Sequence, residues 1–276
     1  MPPMKHWTLD DIPWQSFDAS KVDPDILRLI KAAAMVEQNG LDYGAYLHNI
    51  FADDSEFKAA AEIWAREEVQ HGHALGKWAM LADSSFDFDG ACRRFREGYK
   101  LPLDATASIR GSRAGELMAR CIVETGTSSY YAALHDAVDE PVLKAICAKI
   151  AADELRHYKL FYSHMKRYLG REKLGTWGRL RIGLARIFET EDDELAYAYY
   201  VANGQGPTYD RKSNTQAHAL RAYRVYRRNH IERALAMAFK AVGLKPHGWL
   251  NRTVTRLACW FQRRRIAKLE VLVGAG

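Results

Sequence analysis

Apolar residues in the first 170 positions recur every three to four residues. Nothing there alternates convincingly with period two, so the pattern predicts helices and no sheet. A first long helix is expected over 24–51. Asp23-Pro24 reads as an N-cap followed by proline at the first helical position, and Ile30, Ala34, Leu41 and Ala45 form its apolar stripe. Asp53-Asp54-Ser55 caps a second helix over 55–81, and a short amphipathic piece follows near 88–99. A third helix is expected from Pro102 and Asp104 to Ala137. A fourth opens at Asp139-Glu140-Pro141 and ends at Gly170, read as the glycine after the C-cap. Long helices with short connections imply an all-α, four-helix bundle. Further helices are expected over 176–188, 191–201, 214–242 and 246–272. The expected organisation is a helical bundle over 1–208 with flanking helices, and a helical extension over 209–276 packed on it.

Composition narrows this. The 276 residues are 48% apolar and 27% charged, which excludes wholesale disorder and low-complexity architecture. No 18-residue stretch is free of charge, so no transmembrane helix is expected. The start, MPPMKHWTLDDIPW, has neither the apolar core nor the cleavage site of a signal peptide. Cys92, Cys121, Cys147 and Cys259 form no CxxC pair, which argues against a zinc ribbon, a rubredoxin-type site or a thioredoxin motif. Reduced thiols in a cytoplasm follow as the simplest location. The net charge of +6 is unevenly spread: residues 209–276 hold 15 Lys and Arg against 3 Asp and Glu.

The candidate chemistry lies on the helical stripes. Glu68-Val69-Gln70-His71 and Glu154-Leu155-Arg156-His157 are both ExxH, which puts Glu and His on one helix face. Glu37 and Glu124 each lie inside an apolar run. The spacing repeats: Glu68 to Glu154 and His71 to His157 are each 86 residues, and Glu37 to Glu124 is 87. The body therefore reads as two helix pairs carrying the same donors at the same places. Four carboxylates converging inside a bundle cannot stay ionised without positive charge. Arg120, one turn before Glu124, could pair with only one of them. Two metal ions supply the balance, and oxygen donors with two imidazoles and no thiolate suit iron or manganese. Each imidazole needs an outer acceptor; Asp153 is the candidate for His71 and Glu67 for His157. The competing readings are solvated helix faces for the ExxH pairs and plain surface charge for Asp153 and Glu67.

At these residues the chain resembles a known family. Trp64-Ala65-Arg66-Glu67-Glu68-Val69-Gln70-His71-Gly72 and Ile150-Ala151-Ala152-Asp153-Glu154-Leu155-Arg156-His157 are similar to the metal-binding segments of soluble acyl-carrier-protein desaturases. Glu124 with Thr127 matches that family's E-x-x-T, and Met35-Val36-Glu37 falls where its first ligand lies. The match spans about residues 25–170, and the same donor set occurs in ferritin-like di-iron and di-manganese bundles generally. The resemblance implies a ferritin-like fold binding two iron ions, with manganese an alternative. Glu37, Glu68, His71, Glu124, Glu154 and His157 would be the ligands. It also implies dioxygen-dependent oxidation of an unactivated C–H bond in an acyl-carrier-protein or acyl-CoA substrate, electrons from a ferredoxin-type donor, and a homodimer. Thr127 would relay a proton; Trp64 and Asp153 would belong to the electron path. Core packing is the alternative for Trp64, and back-bonding to the carbonyl of Val123 the alternative for Thr127. Gln70 and Tyr158 depart from the family pattern, where Arg and Glu stand. An acyl substrate further predicts a deep apolar cavity beside Thr127. The other functional readings are a hydroxylase or N-oxygenase, an iron-handling ferroxidase or peroxide scavenger, and a membrane-associated bundle with a structural metal.

Over 246–272, Leu250, Val254, Leu257 and Phe261 recur at helical spacing among Arg252, Arg256, Arg263, Arg264, Arg265 and Lys268. This basic amphipathic helix fits peripheral contact with an anionic inner-membrane surface, docking of an acidic carrier protein, or packing on the bundle with a solvated Arg face. No nucleic-acid-binding motif accompanies it, so no nucleic-acid partner is expected.

Overall fold

The computed structural model describes residues 6–188, 193–204 and 208–274. The first two positions of the helix expected from 191, and residues 1–5 of the N-terminal stretch, lie outside them. The described residues form α-helices joined by turns and short 3-10 segments, with no strand among them. In chain order these are α1 (Pro24–Gln38), α2 (Gly40–Ile50), α3 (Ser55–Ala82), α4 (Phe88–Gly98), α5 (Arg113–Ala137), α6 (Pro141–Glu172), α7 (Thr176–Phe188), α8 (Asp193–Asn203), α9 (Arg211–Val225), α10 (Arg228–Val242) and α11 (Trp249–Gly274). No helix is long and apolar enough to cross a membrane, among the described residues.

Helix starts follow their caps. Asp23, Asp54 and Glu140 each accept backbone N–H groups of the first turn of α1, α3 and α6, satisfying donors that have no intrahelical partner.

The helix expected over 24–51 is two helices. Asn39 (φ −82°, ψ 6°) ends α1 and precedes α2. The reason is tertiary: a Cβ on Gly40 would come within 2.5 Å of Glu68 Cβ, and one on Gly72 within 2.7 Å of the Gln38 nitrogen. Backbone therefore approaches backbone where α1 and α2 cross α3, and only glycine permits it. The break also rotates the faces, so Leu41 is 59% exposed while Gly44 and Leu47 turn inward.

Three further expected boundaries shift. Helix α5 starts at Arg113, not near Pro102. Gly111 is left-handed (φ 81°), Ser112 caps the Gly115 N–H, and the Glu172 carboxylate accepts the N–H groups of Arg113 and Ala114. Helix α6 passes through Gly170 and ends at Lys173 in the left-handed region. The single helix expected over 214–242 is α9 and α10, parted at Tyr226–Arg227.

Helices α1 and α3 pack together, as do α5 and α6, and α3 touches α6. Helix α8 lies on α1, α10 on α5, and α11 on α9 and α10. The core has two main apolar clusters. One contains Leu75, Trp78, Tyr131 and Ile150; the other contains Phe57, Trp64, Cys121 and Phe161. Burying each of the larger of these side chains stabilises the fold by roughly 1.5–3 kcal/mol. Along α3, α5 and α6 the two clusters are separated by one polar layer, which holds Glu68, His71, Glu124, Glu154 and His157.

Candidate metal centre

The six donors singled out by spacing come from α1, α3, α5 and α6 and meet in that layer. Glu37, Glu68, His71 and Glu154 offer ligand atoms all within 4.8 Å of one another; so do Glu68, Glu124, Glu154 and His157. Glu68 and Glu154 are common to both groups. Glu154 and His71 are fully buried, Glu124 and His157 are 1% exposed, and Glu37 is 6% exposed.

His71 Nδ1 lies 3.4 Å from Glu37 Oε2 and 3.3 Å from Glu154 Oε1. His157 Nδ1 lies 3.0 Å from Glu68 Oε1 and 3.7 Å from Glu124 Oε2. Glu37 Oε2, Glu68 Oε1, Glu154 Oε1 and both Nδ1 atoms are nevertheless buried without a hydrogen-bond partner. Orphaned buried acceptors are costly and rare, and here they converge. That is the arrangement cations would complete, so the residues present fit a pair of metal ions. Among the described residues, the two imidazoles are the only ion-pair partners of these four carboxylates.

Without a cation, protons must do the balancing. Burial and the nearby Glu154 and Glu37 push the Glu68 carboxyl up to about 8. Burial, Glu154 and Glu68 push Glu124 well above the usual carboxylate range. Burial would also raise Glu154, but the adjacent His157 and His71 imidazoles outweigh it and hold Glu154 well below. Burial disfavours both imidazolium ions, yet Asp153, Glu154 and Glu37 hold His71 well above its ordinary value. Glu154, Glu67 and Glu68 do the same for His157.

An outer ring orients the imidazoles. His71 Nε2 lies 3.1 Å from Asp153 Oδ2, and His157 Nε2 lies 2.7 Å from Glu67 Oε2. Arg156 spans both acceptors, 2.7 Å from Asp153 Oδ1 and 3.2 Å from Glu67 Oε2. With Nε2–H donated outward, each Nδ1 lone pair faces inward, which is how such partners fix a ligand tautomer. Burial works against ionised Asp153, but His71, Arg156 and Trp7 outweigh it and hold its carboxyl well below the usual range.

Thr127 Oγ1 donates to Glu154 Oε2 at 2.8 Å; the Val123 carbonyl is also in reach, at 3.3 Å. Trp64 is 2% exposed and stands edge-on to His157 (6.5 Å between ring centroids) and to Phe161 (5.3 Å). The indole bonded to Asp153 is a different one. Trp7 Nε1 donates to Asp153 Oδ2 at 2.6 Å, and its ring stacks on His71 at 6.0 Å. Arg120 pairs with Glu116 and lies over the Tyr43 and Trp64 rings.

Sequence reasoning missed several contributors. His6 and Trp7 close over the His71 side, held by Gln70 Nε2 donating to the Trp7 carbonyl at 2.9 Å; His6 Nε2 lies 2.9 Å from Asp153 Oδ2. No local pattern reports a contact spanning nearly 150 residues. Tyr131 donates its hydroxyl to Glu37 Oε1 at 2.5 Å. Its signal was available: it stands four residues after Thr127, on the same helix face.

The cavity expected beside Thr127 is not either of the two described. A 570 Å³ groove lies between α6 and α10, with Leu155, Tyr158 and Met237 in its wall and Lys159, Arg233 and Lys240 among its lining. A 480 Å³ cavity lies near Pro24, Trp78 and Glu140. All four cysteines are buried and unbridged. No protein-family model matches the chain, and no curated protein matches it.

Proposed function

We propose that this protein is a dioxygen-dependent di-iron oxidase on a ferritin-like helical bundle, acting on a fatty acyl chain presented as a carrier-protein or CoA thioester. Two iron ions would be held by Glu37, Glu68, His71, Glu124, Glu154 and His157. The observation that carries the reading is the convergence of five buried, unpartnered donor atoms between two apolar clusters. Two divalent ions would balance four carboxylates while both imidazoles stay neutral. The oxygen-rich, thiolate-free donor set suits iron, or manganese in its place.

Once bound and reduced, the iron pair would supply reduction of dioxygen coupled to oxidation of a C–H bond. Desaturation balances as one dioxygen, two electrons and two protons, with two hydrogens leaving the acyl chain, to give a C=C bond and two waters. The electrons would come from a ferredoxin-type donor, and a homodimer is the assembly that goes with this reading. The chain's own residues hold the geometry. Asp153 and Glu67 keep the two Nδ1 atoms inward. Tyr131 holds Glu37. Thr127 holds the exchangeable proton of its own hydroxyl against Glu154 Oε2, beside both donor groups. The apolar clusters exclude water, which strengthens every charge interaction in the layer. The groove between α6 and α10 suits an anionic amphiphile as substrate, since its apolar wall adjoins Lys159, Arg233 and Lys240 against the single acid Glu232.

The test is metal analysis of protein purified without chelators, followed by reduction, exposure to dioxygen and mass spectrometry of bound acyl groups. Two irons per chain and an acyl product lighter by two hydrogens are expected. A product heavier by one oxygen makes the protein a hydroxylase. Peroxide turnover or iron release with no organic product makes it an iron-handling protein. Absence of bound metal overturns the proposal.

A further inference from the structure

Helix α11 packs on α9 and α10 by its polar side. Asn251 and Thr255 are fully buried, Cys259 is 8% exposed, and Leu269 is buried near the far end. Gln262 Nε2 donates to the carbonyls of Tyr223 and Tyr226 at 2.7 and 3.0 Å, and Glu270 pairs with Arg224 at 2.9 Å. These anchors fix the rotation of the helix. The opposite face, about 165° away at 100° per residue, carries Trp249, Leu250, Leu257, Trp260 and Phe261, all exposed. The stripe that would be expected to pack therefore faces outward. In water alone this orientation is unfavourable, because apolar area is left exposed while Asn251 is buried with neither side-chain polar atom bonded.

We infer that the outward face of α11 is a membrane-surface site that seats in the headgroup–acyl boundary of an anionic phospholipid bilayer. Charge selects the occupant. Arg252, Arg256, Arg263, Arg264 and Lys268 are exposed along the helix, and no acidic residue occurs from 249 to 269. Facing two copies together would set these cations against one another without a counter-charge. Shape selects it too. Trp249 and Trp260 stand at the two ends of a convex apolar ridge about 18 Å long at 1.5 Å per residue, which a fluid interface accommodates without a matching groove. Basic flanks with bulky apolar residues and tryptophan are what an interfacial helix needs. Arg264, stacked 4.3 Å over the Trp260 ring, can reach headgroup phosphates while its stem covers the indole. Helix α7 repeats the pattern: Trp177 is 83% exposed, Leu184 is exposed beside Arg181, and residues 173–188 contain no acid. This inference does not depend on the metal reading.

The experiment is flotation of the whole chain, as purified, with vesicles of phosphatidylcholine alone or with 30% phosphatidylglycerol. Binding to the anionic vesicles only, weakened by 0.5 M salt, is expected. The double substitution L257S/F261S should lower that binding by about tenfold or more, with helicity and Tm unchanged. The double charge reversal R263E/R264E, also wholly on the surface, should abolish it and serves if the first variant is poorly folded. No binding to anionic vesicles, or equal binding by both variants, overturns the inference. So does a solution dimer that L257S/F261S dissociates, which makes the face an interface between copies, or tight salt-sensitive binding of an acidic carrier protein by this face with none to vesicles.

Discussion

Replacing Glu124 with Gln separates the stability of the metal-free fold from its capacity to hold metal. The carboxyl is 1% exposed, and burial, Glu154 and Glu68 push its pKa well above the usual 4.5. The metal-free folded chain therefore holds this proton to higher pH than the unfolded chain does. Folded protein that binds the extra proton loses stability as pH rises, by about 1.4 kcal/mol per pH unit above the unfolded pKa and up to the folded one. Gln carries no such proton and is nearly the same size, so metal-free Glu124→Gln should be more stable than wild type at pH 7. The gain should appear as a higher Tm for the metal-free variant. At pH 5.5, nearer the unfolded pKa, the difference should shrink. With metal the order reverses. One of the two donor groups loses a ligand, so the variant should bind one ion tightly, not two. It should also forgo the stabilisation from the second, about 2.7 kcal/mol at a hundredfold excess over Kd. Thermal melts with and without Mn²⁺ or Fe²⁺ at both pH values, alongside metal analysis, read all of this. A metal-free variant less stable than wild type, or one that retains two tightly bound ions, refutes the reasoning.

Asp153→Ala removes the shared acceptor of His71, Trp7, His6 and Arg156. It should weaken metal binding by about 10–100-fold and open the N-terminal segment to limited proteolysis, read by titration and by fragment mapping. Thr127→Val keeps the shape but deletes the proton donated to Glu154; metal content should hold while turnover under reducing, aerated conditions falls about a hundredfold. Gly72→Ala drives a methyl into the Gln38 and Ala34 backbone. It should destabilise the chain by about 1–3 kcal/mol and lower metal content by moving Glu37, as seen by denaturant unfolding and metal analysis. The Asp83 carboxyl is drawn down to about 2 by Lys31, 2.5 Å away, and by Ser85. Its depressed value stabilises the fold above pH 4, and that stabilisation fades as pH falls toward 2. Lys31→Met should remove about 1 kcal/mol of it, after allowance for solvent screening, as acid-unfolding midpoints will report.

What was legible in the sequence is local. Apolar residues at three- and four-residue spacing require only the helix's own geometry, so the spans of α3, α4 and α7 could be read almost to the residue. The ExxH pairs and the repeated 86-residue spacing likewise report donors on one face before any packing is known. Those spacings, together with the resemblance of their segments to a known metal-binding family, single out the six inner donors and two candidate outer acceptors. Tertiary structure decided whatever depends on a distant partner. The break at Asn39 exists because α3 approaches too closely for any Cβ at Gly40 or Gly72. Trp7 reaches Asp153 across a gap no periodicity describes, and Tyr131 became a polar participant only through Glu37. Helix α11 is the sharpest case. Its sequence displays an apolar stripe and a basic flank, but the hydrogen bonds of Gln262 and the Arg224–Glu270 pair chose which side turns inward. A period fixes the angle between two faces of a helix; only the surface it lands on determines which face meets water.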